Sequence, residues 1–319
     1  MRDSDPYVVV ITGASSGIGR ATAQAFARRG ASLVLAARSE ETLETVAAEC
    51  RELGAQAIVV PTDVTDADAV LNLCKAALAR YGQIDLWFNN VGVGTVGRYE
   101  ETPMASHRRV IEANLLGHMH GAHAVLPHFR RRGRGTLVNM ISLGGLVSAP
   151  YAGSYVASKF GLHGLSESLR AEVSDLPQVH VCAVYPTFVD TPGVRHGANY
   201  SGRSLRPPPP LVDPRTVAEA VVALSRRPRA TVTLGVQALP GRLAHAVAPD
   251  RLGQASRWLM DRAFARAEPV PHSDGNLFEA SEGHDIDGGF RPSRTVPALV
   301  LGAAALGALA WMAHGRTRR

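Results

Sequence analysis

Short runs rich in Val, Ile and Leu alternate with longer segments in which apolar residues recur every three or four positions, over roughly the first 240 residues. The runs at 7–12, 32–36, 57–61, 86–89, 135–141, 179–185 and 231–234 show little apolar/polar alternation, as strands do when both sheet faces are covered. Segments 17–29, 41–53, 66–81, 107–130 and 154–174 carry the helical period between them. Asp213-Pro214 reads as an N-cap followed by proline at the first helical position. This order predicts an α/β fold, a Rossmann-type doubly wound parallel sheet of seven strands with a C-terminal helical extension.

The pattern also divides the chain. Residues 1–241 form the predicted sheet domain, within which the Gly- and Pro-rich stretch 187–214 reads as a lid or specificity loop. Residues 242–267 are a helical extension, and 268–295, rich in Pro, Gly, Ser and acidic residues, predict a flexible linker. A hydrophobic helix follows at 296–314, and its segment VPALVLGAAALGALAWMA carries no charge. Eighteen helical residues span about 27 Å, near the minimum for a bilayer core. Basic flanks (Arg291 and Arg294 before, Arg316, Arg318 and Arg319 after) and Trp311 favour a membrane anchor over an Ala-rich helix docked on protein. The anchor would hold the domain at a cytoplasmic membrane face.

Composition narrows the function. Charged residues at 19% and hydrophobic residues at 45% describe a globular chain. The net charge of +6 comes from scattered arginines with no aromatic-interleaved basic stripe, which argues against nucleic acid as partner. Cys50, Cys74 and Cys182 lie far apart with no metal-ligand spacing, so they read as reduced core thiols and no metal is expected. Of 34 Lys and Arg residues only Lys75 and Lys159 are Lys. Lys159 stands four residues after Tyr155, so the two share one helix face. A phenol beside a fixed point charge is a candidate acid/base at neutral pH, and Arg would not replace that charge.

Other residues give the pair a context. Thr12-Gly13-Ala14-Ser15-Ser16-Gly17-Ile18-Gly19 follows the first strand and opens the first helix, where glycines let backbone approach a pyrophosphate at a helix N-terminus. The literal GxGxxG at 92–97 has no tight helix start after it and reads as a loop. Arg38 ends the second strand, where an arginine pairs with a 2′-phosphate and so favours NADP(H) over NAD(H). Asp63, at the end of the third, bonds an adenine amine or caps the next helix. Ser142 ends the fifth strand, where sheet ligands bind, and Asn114 sits in a helical segment that ordinarily disfavours Asn. His118, His120 and His123 do not share a helix face and read as packing residues, as does His163.

In this order Gly13/Gly17/Gly19, Asp63, Asn89-Asn90-Val91-Gly92, Asn114, Ser142, Tyr155/Lys159 and Tyr185-Pro186-Thr187 resemble the short-chain dehydrogenases/reductases over residues 7–241. Val91 stands where the family usually has Ala, and Thr187 where it commonly has Gly. The resemblance implies that Tyr155 is the general acid/base, that Lys159 lowers its pKa and holds the nicotinamide ribose, and that Ser142 positions the substrate carbonyl. Asn114 would hold a water linking Lys159 to solvent. Gly13, Ser15, Ser16, Gly17, Ile18, Gly19, Arg38, Asp63, Val64, Asn90, Val189 and Thr191 would seat the cofactor, with Tyr155 and Lys159. It also implies a homo-oligomer. Leu143, Leu146, Val147, Pro150, Tyr151 and Phe188 predict an apolar pocket, hence a lipophilic ketone, aldehyde or alcohol as substrate. The alternative is a membrane-tethered, cofactor-binding regulator without turnover.

Overall fold

The computed structural model describes residues 7–281 and 283–291. In chain order its strands are β1 (Val8–Thr12), β2 (Ser32–Ala36), β3 (Gln56–Val59), β4 (Leu86–Asn89), β5 (Thr95–Val96), β6 (Arg134–Met140), β7 (Gln178–Pro186), β8 (Ala198–Asn199) and β9 (Thr231–Leu234). The helices are α1 (Gly17–Ala27), α2 (Glu40–Glu52), α3 (Ala67–Tyr81), α4 (Met104–Ile111), α5 (Gly117–Arg132), α6 (Gly153–Glu172), α7 (Gly193–His196), α8 (Pro214–Arg226), α9 (Ala238–Val247) and α10 (Pro249–Arg266).

Seven strands form one parallel sheet in the order β3-β2-β1-β4-β6-β7-β9, and β5 pairs with β8 apart from it. Every residue of β1 is buried because the sheet is covered on both sides. Val9 and Ile11 pack into a core shared with α1, α2 and α8. Val10 points the other way, into a core shared with α3 and α5. Chain order reverses beside β1, which has β2 on one side and β4 on the other. A doubly wound sheet opens a crevice at that switch point, beyond the carboxyl ends of its strands. The predicted fold class therefore holds.

Local chemistry sets several boundaries. Asp66 caps α3 by accepting from the N–H groups of Asp68 (2.9 Å) and Ala69 (3.1 Å), and Gly82, with φ of 72°, ends it. Asp213 caps α8, accepting from Arg215 N–H at 2.8 Å, with Pro214 at the first turn as predicted. Cys50, Cys74 and Cys182 are buried, and burial pushes their thiols up to about 12, 11 and 11.

Three expectations differ from the structure. The helix predicted over 107–130 is two helices, α4 and α5, joined by a π-helical turn, Glu112–Leu116. The extension predicted over 242–267 begins earlier and breaks at Pro249 into α9 and α10, because proline cannot donate within a helix. Over its described residues the predicted flexible linker is laid on the domain. Ser273 bridges to Asn199 and Pro269 to Arg203, Leu277 is buried, and the buried carboxylate of Asp190 receives the N–H groups of Phe290 and Arg291. Among the described residues no helix is long and apolar enough to cross a membrane, and the predicted anchor at 296–314 lies outside them.

Candidate active site

β1 ends at Thr12, and the chain turns into α1 through Gly13 (φ 64°) and Gly17 (φ 51°), both in the left-handed region that favours glycine. Gly19 packs under the turn, where a Cβ would overlap the Gly13 carbonyl oxygen. Asn90, just past β4, fastens the turn. Its side-chain amide donates to the carbonyls of Thr12 (3.2 Å) and Gly13 (3.1 Å), and its backbone N–H donates to the Thr12 hydroxyl at 3.0 Å.

A cavity of about 210 Å³ lies beside this turn. Gly13, Ser15, Ser16, Gly17 and Ile18 line it, as do Arg38, Asp63, Val64, Asn90 and Thr191. Of the other predicted cofactor residues, Gly19 is buried beneath it, and Val189 pairs with Val212 and packs on the core. The cavity also holds Arg109, which sequence reasoning counts only among the scattered arginines. Arg109 donates to Asp63 at 2.6 Å, to the Thr65 hydroxyl at 2.5 Å and to the Leu277 carbonyl at 2.8 Å. Burial would raise the Asp63 carboxyl, but bonds from Thr65 and Arg109 outweigh it and hold the group below its ordinary range. Arg38 donates to the carbonyls of Asn276 (2.8 Å) and Leu277 (3.4 Å). The donor set is that of an anion-accepting pocket: a glycine turn at a helix N-terminus with two guanidinium groups at one end.

The candidate catalytic residues stand across the 90–94 loop from this cavity. A Cβ on Gly92 would lie 3.6 Å from Lys159 Nζ, and one on Gly94 would lie 3.7 Å from the Tyr155 ring. Both side chains project from α6. Lys159 is 2% exposed; its ammonium donates to the Met140 carbonyl at 3.1 Å and lies 5.7 Å from the centre of the Tyr155 ring. Burial pulls its pKa down to about 7. Burial also pushes the Tyr155 phenol above its ordinary value, and a hydrogen bond with Ser142 opposes that rise. The resemblance implies that Lys159 lowers the phenol's pKa; here Lys159 is turned to a backbone carbonyl, and burial, opposed by Ser142, sets the shift of Tyr155.

Ser142 follows β6 with φ of 157° and ψ of 165°, a backbone shape costly for a residue with a side chain. Its Oγ accepts from Gly144 N–H at 3.1 Å, which turns the hydroxyl towards Tyr155. Asn114 is fully buried in the π-helical turn. Its amide oxygen accepts from Val93 N–H (2.8 Å), and its amide nitrogen donates to the Val93 carbonyl (2.9 Å) and the Ser158 hydroxyl (3.0 Å). Both ends of that side chain are thus committed to protein, pinning the 90–94 loop to α6 one residue before Lys159.

Beyond Ser142 the apolar stretch 143–151 meets α9 and α10. Tyr151 donates to Asp261 and its ring packs 5.3 Å from that of Phe264, while Phe188 is 44% exposed. Two of the predicted packing histidines bond protein groups: His120 donates to the Val64 carbonyl at 2.9 Å and His163 pairs with the Tyr185 hydroxyl at 2.6 Å.

A family model described as short chain dehydrogenase matches residues 7–199. An uncharacterized oxidoreductase of Bacillus subtilis, YxnA, is 32% identical over 98% of this chain and 91% of its own. A fatty acyl-CoA reductase of Acinetobacter baylyi is 32% identical over 83% of this chain and 94% of its own. Two solved structures share the fold. An alcohol dehydrogenase of Thermococcus sibiricus complexed with 5-hydroxy-NADP has a TM-score of 0.63 and 34% identity, covering 72% of this chain and 96% of its own. A short chain dehydrogenase/reductase of Burkholderia phymatum in complex with NAD has a TM-score of 0.68 and 28% identity, covering 86% and 100%. With the glycine turn, the Tyr155/Lys159 pair and the sheet order in place, the chain belongs to the short-chain dehydrogenase/reductase family of oxidoreductases.

Proposed function

We propose that the protein is an NADP(H)-dependent oxidoreductase acting on a lipophilic ketone or aldehyde, or on the corresponding alcohol in reverse. The observation that carries this reading is the placement of Ser142 and Tyr155 together against Gly144, across one short loop from the glycine-turn cavity. The residues present fit a nicotinamide dinucleotide: the glycine turn admits backbone to a pyrophosphate, and Arg38 supplies a fork suited to a 2′-phosphate. When bound, the dinucleotide supplies or accepts the hydride.

The chain's own residues supply the rest. Ser142 donates to the substrate oxygen and orients it, and Tyr155 gives that oxygen its proton during reduction or removes it during oxidation. Lys159, held by the Met140 carbonyl, keeps a positive charge beside the phenol when protonated and so favours its ionised form. Asn114 positions Lys159 through Ser158 and the 90–94 loop. The apolar residues at 143–151 and Phe188, with α9 and α10 packed near them, favour a substrate with a long or bulky hydrocarbon part. The reductase of Acinetobacter baylyi, named for a fatty acyl-CoA, supports the same class.

The test is oxidation of NADPH and of NADH with aldehydes and ketones of increasing chain length. The account expects turnover that improves with chain length and a kcat/KM with NADPH about tenfold or more above that with NADH. Tight NADPH binding with no turnover across the panel would instead favour a regulator.

A further inference from the structure

We infer that the C-terminal strap, residues 273–281 and 283–291, is a built-in wall of the cofactor site, and that Asn276 is a binding residue for the adenosine end. The inference rests on the dinucleotide reading above and extends it to a segment that the family model, matching 7–199, does not reach.

Residues within 276–281 line the cavity, and 284–285 bond the start of α1. At the Arg38 end, Asn276, Leu277, Ala280 and Ser281 line the cavity with Ser39 and Asp63. The carbonyls of Asn276 and Leu277 accept from Arg38, and that of Leu277 accepts from Arg109 as well. At the glycine-turn end the Asp285 carbonyl accepts from Gly17 N–H at 2.9 Å, and the His284 carbonyl accepts from Arg20. Both ends are anchored. Tyr200 donates to Asp274, and Ser273 and Asn199 exchange backbone bonds. Arg291 donates to Asp190 (3.0 Å), Asp213 (2.5 Å) and Asp287 (2.8 Å). Two glycines let the strap lie flush: a Cβ on Gly275 would overlap the His196 carbonyl, and one on Gly288 would lie 2.5 Å from the Thr191 carbonyl.

One atom in this wall points to a ligand. The side-chain oxygen of Asn276 is buried, lies in a residue lining the cavity and has no hydrogen-bond partner. A buried acceptor left unpaired is costly, and a ligand donor resolves the cost. Adenosine carries such donors in its exocyclic amine and its ribose hydroxyls. The two guanidinium groups beside Asn276 add the charge that a phosphorylated ribose requires. A wall anchored at both ends also has to part from the cavity for the cofactor to leave, so loosening the Arg291 anchor should speed release.

Hydrogen exchange on the full chain, with and without NADPH, tests the wall without any substitution: amides at 276–281 are expected to slow on binding. Fluorescence titration and a stopped-flow chase then compare Asn276→Ala and Arg291→Ala with the parent, each variant first shown to melt normally without nucleotide. Asn276→Ala is expected to raise the NADPH Kd about tenfold, and Arg291→Ala to speed NADPH release about fivefold. NADPH binding with unchanged strap exchange, Kd and release overturns the wall while leaving the function intact. Failure of the parent chain to bind NADPH or NADH overturns the function and the wall together.

Discussion

Lys159 occupies a position where burial and function pull in opposite directions. Where most basic residues of the chain are arginine, the buried site beside Tyr155 holds a lysine, whose charge, unlike an arginine's, burial can remove. Burial lowers the ammonium from 10.5 to about 7, so over that interval the unfolded chain binds a proton that the folded chain does not. Stability from this group therefore rises with pH between about 7 and 10.5. Lys159→Met should be more stable than the parent near neutral pH, and that advantage should shrink as pH climbs through the interval. Urea unfolding of both proteins across that range is the check, and a constant difference would show that Lys159 is not titrating there. The pair itself was legible in the sequence because spacing i, i+4 on a helix needs no tertiary knowledge. Arg109 was not, because its partners Asp63 and Leu277 lie 46 and 168 residues away.

At the scale of elements, strands were read well because burial on both faces writes itself into composition: β1 has no polar residue before Thr12. The π-helical turn left no such trace, since one extra residue per turn changes no residue type. Asn114 was the clue, a residue that helices disfavour, and the turn sets its amide against both backbone groups of Val93. Asn114→Ala strips those partners from the 90–94 loop and should cost about 1–3 kcal/mol in denaturant unfolding. A loss restricted to stability, with KM for nucleotide and kcat unchanged, would show that the loop needs no pin for function. The strap was misread because composition scores side chains, whereas its contacts are largely made by backbone carbonyls. Asn276, Leu277, His284, Asp285 and Gly288 each offer a carbonyl to a group far away in sequence.

For the molecule as a whole, backbone carbonyls give several of the arginines their partners. Arg20, Arg38, Arg109 and Arg195 hold the strap, Arg132 holds the Ile84 carbonyl, and Arg170 joins the carbonyls of Val181 and Ala230. A planar fork can serve two acceptors at once, which a single ammonium does less well. These arginines thus serve construction, and the proposed catalytic role falls to the buried lysine. That division rests on Tyr155 being the proton-transfer group, and the most direct test is Tyr155→Phe, assayed for turnover and for NADPH binding in the same preparation. The account predicts that kcat falls at least about 100-fold while the NADPH Kd changes little. Turnover within a few-fold of the parent, with binding intact, would contradict it.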